Sequence, residues 1–106
     1  MAVRIGRFDF EGPFETTDEL DFKPGVWAII SLYHGRASIA GVGQAAEVKP
    51  AVESARNDLA ATIDQSDKGR VLYAAYYTPP SAKDDQREIE REIRTQFDIA
   101  QSHLTN

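Results

Sequence analysis

The feature that most constrains the fold of this chain is an apolar run over residues 26–33, in which Ser31 is the single polar side chain. Eight positions match the length of a strand, and side chains in a strand alternate between the two faces of a sheet. Because both alternating sets are apolar here, the run predicts a strand buried on both faces. Such a strand needs covering elements, and we therefore expect a small sheet flanked by helices.

The remaining pattern predicts the other elements. In chain order these are a strand over residues 3–10 ended by Gly12-Pro13, a helical turn between residues 16 and 22, the central strand, a His34-Gly35 turn, a strand over 36–42, a helix over 47–64, a strand over 71–77 and a last helix reaching about residue 104. The predicted fold class is α/β (α+β), with a mixed sheet of three to four strands and two main helices. We expect a single domain over residues 1–106, with an N-terminal strand and extension over 1–23 and a core over 24–104.

Composition excludes several kinds of site. The chain has no Cys and only two His, so a disulfide framework, a thiolate zinc site, a Cys nucleophile and a multi-histidine metal site are not expected. No apolar run approaches the length of a membrane span, and no signal peptide is evident, which favours a cytoplasmic protein without a membrane partner. The formal net charge of −5 and the scattered basic residues make nucleic acid an unfavourable partner.

A glycine-rich stretch over residues 41–46 satisfies the pattern G-x-G-x-x-A between a predicted strand and a predicted helix. That is the local context of a dinucleotide-binding turn. However, the fingerprint also requires an acidic residue at the end of the next strand, and this strand ends in Tyr76-Tyr77-Thr78. A hairpin also precedes the glycines, which a doubly wound fold would not have. We therefore predict no nucleotide cofactor.

A second pattern covers about residues 24–99. Gly25-Val26-Trp27 lies on one predicted strand and Gly41-Val42-Gly43-Gln44 on its hairpin partner, and Arg87 and Glu90 follow on the last helix. This order resembles the GIY-YIG nuclease domain. The resemblance implies a nuclease-like scaffold in which two tyrosines, an arginine, a histidine and a metal-binding glutamate would surround the phosphodiester.

The resemblance also implies that most of those roles are vacant. Trp27 and Gly41 stand where the family has tyrosines, Ala51 stands where it has the helical arginine, and Ala55 stands near its histidine. Glu90 remains as a candidate ligand for Mg²⁺ or Mn²⁺. One carboxylate can hold a hydrated metal, but it cannot also activate water and clamp a phosphate.

The sequence therefore favours a non-catalytic, GIY-YIG-like interaction module with a protein partner, and a homodimer remains open. Two alternatives remain. One is a residual metal-dependent endonuclease, in which Arg56, Glu90 and Tyr73 would have to meet in one cleft. The other is an acidic inhibitor of a nucleic-acid-binding protein, which would need one contiguous acidic face.

Overall fold

The computed structural model describes residues 2–33, 36–63 and 70–97. Its elements are β1 (Ala2–Ile5), β2 (Phe8–Phe14), a 3-10 turn (Thr17–Glu19), β3 (Gly25–Tyr33), β4 (Arg36–Ala45), α1 (Val48–Ile63), β5 (Arg70–Tyr77) and α2 (Lys83–Phe97). None of the helices in these ranges is long and apolar enough to cross a membrane. The α+β class and the two main helices are confirmed.

The sheet differs from the prediction in size and in direction. The described residues form five strands in the order β1-β2-β5-β3-β4, and every neighbouring pair is antiparallel. The expectation of a mixed sheet with three to four strands was therefore wrong. The difference comes from the N-terminal segment, which forms a hairpin that pairs with β5 and so belongs to the same sheet as the core.

That N-terminal hairpin replaces the single strand predicted over residues 3–10. Gly6 has a φ of 63°, in the left-handed region that suits glycine, and it turns the chain between β1 and β2. The turn places Ile5 opposite Phe8 and Val3 opposite Phe10, so all four side chains face the same cluster. In a straight strand, Val3 and Ile5 would face away from Phe8 and Phe10. Strand β2 also runs past Gly12-Pro13 to Phe14.

The central strand β3 is covered on both faces, as predicted. Its residues Val26, Ala28 and Ile30 belong to the α2-side cluster, which also contains Ile5, Phe10, Val42, Leu72, Ala74, Ile89 and Ile93. Its residues Trp27 and Ile29 belong to the α1-side cluster, which also contains Leu20, Val48, Val52, Tyr73 and Ala75. Each helix thus packs on its own face of the sheet, and the sheet separates the two helices.

Strand β4 continues three residues beyond its predicted end, to Ala45. Gly41 pairs with Ile29 and Gly43 pairs with Trp27, so both glycines lie within the strand and not in a turn. A dinucleotide fingerprint needs its glycines in a turn that opens a helix. The strand position of these glycines therefore rules out that interpretation.

Helix α1 begins one residue after its predicted start, and several predicted positions lie outside the described part of the chain. Ile89 and Ile93 are buried on α2 as the helical spacing indicates. The His34-Gly35 turn, residue 64 at the predicted end of the first helix, and Ala100 and Leu104 of the last helix fall outside the described residues.

Candidate functional site

The motif positions on β3 and β4 meet on the α1 side of the sheet. Trp27 is only 6% exposed, and its indole lies directly over Gly43. A methyl group built on Gly43 would lie 2.7 Å from Cε2 and 3.0 Å from Nε1 of Trp27, which is well inside an ordinary carbon contact. Gly43 therefore leaves the space that the indole fills. Gly41 is also buried.

The two alanines of α1 line the same region. Ala51 and Ala55 are half-buried and pack against the α1-side cluster. Hydrocarbon from Trp27 and the helix thus occupies the surface where the resemblance expects tyrosine, arginine and histidine. Trp27, Ala51 and Ala55 carry no group that can accept a proton at neutral pH and no positive charge to hold a phosphate, and Gly41 has no side chain.

Glu90 lies on α2, on the other side of the sheet, and it is already engaged. Its Oε2 accepts a hydrogen bond from Nε of Arg94 at 2.7 Å, and Nη2 of Arg94 donates to the carbonyl oxygen of Val42 at 2.9 Å. The Glu90 and Arg94 side chains are 18% and 13% exposed. Nη1 of Arg94 is buried without a hydrogen-bond partner in the described part of the chain.

This pairing does not fit a divalent metal at Glu90. A guanidinium bound to the carboxylate already neutralises it, and a second cation beside Arg94 would be repelled in a partly buried setting. Within residues 2–33, 36–63 and 70–97, no group of three or more His, Cys, Asp or Glu could hold a metal ion.

The structure does not bring the other predicted site residues to Glu90. Tyr73 is 4% exposed within the α1-side cluster, and Arg56 is exposed on α1. The sheet thus lies between Glu90 and both of these residues. Arg87, the other motif residue of α2, is exposed.

Sequence reasoning missed Arg94, the residue that decides how Glu90 is used. The spacing of Glu90 and Arg94 is i,i+4 with the acid first, which is the favourable order for a helical ion pair and could have indicated the contact. The bond from Arg94 to Val42 had no such indication. It depends on α2 packing against β4, at the edge of the described sheet.

A second missed feature is Phe22, which among the residues whose burial the structure describes is the one large apolar side chain that is well exposed, at 64%. It follows the 3-10 turn, and Nζ of Lys49 lies 5.3 Å from the centre of its ring. Lys49 also approaches Asp18 at 4.0 Å. Phe22 thus projects from a polar surface, and within residues 2–33, 36–63 and 70–97 Lys49 makes its single ring contact.

The segment around Phe22 is fixed by polar contacts to the rest of the fold. The hydroxyl of Tyr77 accepts a hydrogen bond from the backbone N–H of Asp21 at 2.9 Å, and the buried Thr17 donates to Oε2 of Glu53 at 3.1 Å. Partial burial is the main cause that raises the pKa of Tyr77 above its ordinary value. These contacts hold Phe22 on an ordered surface.

Comparison with known proteins adds no relative. A scan against protein-family models finds no matching family, and searches of curated proteins and of solved structures find no match either. The resemblance to the GIY-YIG nuclease domain therefore rests on the motif residues alone and remains a prediction.

Proposed function

We propose that this chain is a non-catalytic interaction module of the cytoplasm, built on a GIY-YIG-like scaffold, that binds a partner protein. The observation that carries the proposal is the contact of Trp27 with Gly43. The indole closes the surface where the scaffold would hold its reactive groups, and the half-buried Ala51 and Ala55 extend the same apolar surface. A buried hydrocarbon contact of this kind stabilises the fold and supplies no proton donor or acceptor.

Phe22 is the proposed centre of the contact with the partner. Aromatic side chains that fill a pocket on a partner carry much of the binding energy in many protein interfaces. Phe22 is exposed while its neighbouring backbone is held by Tyr77, so it can enter an apolar pocket with little loss of backbone freedom. The partner that fits is a protein with an apolar pocket and a polar rim.

The two alternatives have weaker support. The endonuclease requires Arg56, Glu90 and Tyr73 in one cleft, whereas Glu90 lies across the sheet from the other two and is paired with Arg94. The acidic inhibitor is motivated by the net charge of −5 and needs one contiguous acidic face; residues 9–21 hold six carboxylates and no basic residue.

The acidic segment does not form a surface of one sign. Three of its carboxylates are paired with cations: Asp9 with Arg4 at 3.2 Å, Asp21 with Lys23 at 3.7 Å and Asp18 with Lys49 at 4.0 Å. The resulting surface has mixed charge, which is a poor imitation of a phosphate backbone.

One experiment addresses the interaction. A photo-crosslinking phenylalanine analogue is placed at position 22 of the full chain in cells, and the same analogue at the exposed Ser54 of α1 serves as the control. We expect a defined crosslinked partner at position 22 only. With both proteins purified, Phe22→Ser should weaken binding by about tenfold or more. Equal crosslinking at both positions, or unchanged affinity, would refute the role of Phe22.

A second experiment addresses the lack of catalysis. Purified chain is incubated with supercoiled plasmid in Mg²⁺ or Mn²⁺, beside a Glu90→Gln variant. We expect no nicking by either protein. Metal-dependent nicking that disappears in Glu90→Gln would overturn the proposal in favour of the endonuclease. Light scattering during size exclusion tests whether the partner is a second copy of the chain.

A further inference from the structure

A cleft of about 320 Å³ lies where the N-terminal hairpin, the end of β5 and the first turns of α2 meet. One wall is aromatic. The rings of Phe8 and Tyr76 meet edge to face, with their centroids 5.9 Å apart and their planes at 75°. The Phe10 ring also packs against Tyr76, with a distance of 5.7 Å between the ring centroids. Because three rings support one another, this wall is fixed before any ligand binds.

The part of the lining that α2 contributes is acidic. Asp85 and Glu88 line the cleft from α2, and their i,i+3 spacing places them on one face of the helix. Both residues are exposed, and among the described residues neither has a Lys or Arg nitrogen within 4.0 Å. The cleft therefore offers two carboxylates without a direct ion pair beside an aromatic surface, and Arg7 is a cation in the same lining, close enough to Glu88 to interact with its charge.

Arg7, which lines the cleft, shows how a guanidinium binds beside these side chains. Its central carbon lies 4.6 Å from the centre of the Phe8 ring. Its Nε and Nη2 donate to the two oxygens of Glu92 at 2.7 and 3.1 Å. A planar cation that stacks on a ring and binds a carboxylate with two hydrogen bonds is typical of arginine and not of lysine.

The net charge of the cleft is negative. Arg7, Asp85 and Glu88 give the lining of the cleft a formal net charge of −1, and Glu92, which pairs with Arg7, adds a further negative charge beside it. We propose that this cleft binds a guanidinium cation, the side chain of an arginine, stacked on Tyr76 and held by Asp85 and Glu88. The site does not include Phe22, and the proposal does not depend on the proposed function.

The test is a titration of the isotope-labelled chain with N-acetylarginine amide, followed by amide chemical shifts. We expect saturable shifts at Thr78 and along the first turns of α2. Asp85→Asn and Glu88→Gln should each weaken binding by about five- to tenfold, because each removes a charged acceptor. Asp84→Asn is the matched control, since it removes the same charge from the neighbouring exposed residue, which does not line the cleft.

Arg7 supplies the sharpest prediction of the proposal. Arg7→Met removes the guanidinium that occupies Phe8 and Glu92 and keeps an apolar side chain of similar length. Affinity for N-acetylarginine amide should therefore rise several-fold in this variant, by about the factor that one charge contributes. Unchanged or weaker binding would overturn the assignment.

Three further outcomes decide the chemistry of the ligand. N-acetylleucine amide should cause no saturable shift, and N-acetyllysine amide and spermidine should bind more weakly than the arginine probe. Equal or tighter binding of spermidine would overturn the choice of a guanidinium. An equal loss of affinity in Asp84→Asn and Asp85→Asn would reduce the effect to general attraction by an acidic chain and would also refute the site.

Discussion

Replacement of Gly43 by alanine tests the packing on which the proposed function depends. The new methyl group would lie 2.7 Å from Cε2 of Trp27, about 1 Å closer than a relaxed carbon contact. The indole is rigid and 6% exposed, so it cannot move aside freely. Overpacking of this kind costs about 2–3 kcal/mol, and the lower entropy of the unfolded alanine chain offsets about 0.4–1 kcal/mol.

The expected net loss is therefore about 1–2.6 kcal/mol of unfolding free energy, or a fall of about 5–20 °C in Tm for a chain of this size. Urea unfolding followed by far-ultraviolet circular dichroism measures it. Ser38→Ala, at an exposed position of the same strand, is the control and should change stability by less than about 0.5 kcal/mol.

A double-mutant cycle isolates the contact with the indole. In a Trp27→Phe background the ring atoms nearest Gly43 are gone, so Gly43→Ala should become neutral or slightly stabilising. Equal destabilisation of Gly43→Ala in both backgrounds would show that the strand backbone, and not the indole, requires glycine. A neutral effect in the unmodified chain would refute the packing argument altogether.

Three other predictions follow from the polar contacts. Glu90→Ala should cost roughly 3 kcal/mol of unfolding free energy, because it leaves the Arg94 guanidinium buried without its carboxylate. Glu90→Leu combined with Arg94→Met should cost less, because it removes both charges. Urea unfolding measures both variants, and an equal loss of unfolding free energy in the double variant would contradict this. Because the pKa of Tyr77 is raised in the folded state, its contribution to stability is complete below about pH 10, the pKa of tyrosine in the unfolded chain, and is lost as pH rises through the pKa of the folded state. Unfolding curves measured at alkaline pH should therefore show a smaller loss of stability in Tyr77→Phe than in the unmodified chain. An identical loss in both proteins would contradict the assignment. The buried Gln86 donates a hydrogen bond from Nε2 to Oγ1 of Thr78 at 2.7 Å. Gln86→Leu and Thr78→Val should therefore each cost about 1 kcal/mol of unfolding free energy, measured by thermal unfolding, and the double variant should cost less than the sum. Fully additive effects would mean that this hydrogen bond contributes nothing to stability.

Much of the architecture could be predicted from local patterns. The uninterrupted apolar run of β3 and the helical spacing of Val48 and Val52 each report a buried face directly, and the structure confirms both. The alternation along β5 also places Tyr73 and Tyr76 on opposite faces of the sheet. These features depend on residues close in sequence, so a short window contains the information.

The sequence also contains a local sign of the N-terminal hairpin. Val3 and Ile5 occupy odd positions and Phe8 and Phe10 even ones, and that change of parity around Gly6 indicates a turn when all four must face one core. The pairing of the hairpin with β5 could not be predicted from a local pattern. Strands β2 and β5 are more than 50 residues apart in the sequence, and local periodicity does not indicate which distant strand pairs with which.

By itself, the sequence determined which segments are buried on both faces, which helix face is apolar, and that the positions of Trp27, Gly41, Ala51 and Ala55 lack reactive groups. Only the tertiary structure decided that Gly43 receives an indole, and that Glu90 lies across the sheet from Tyr73 and is held by Arg94. The physical reason is that periodicity fixes the direction of a side chain relative to its own strand or helix. Contacts between elements depend on strand order and helix placement, which the whole core sets together.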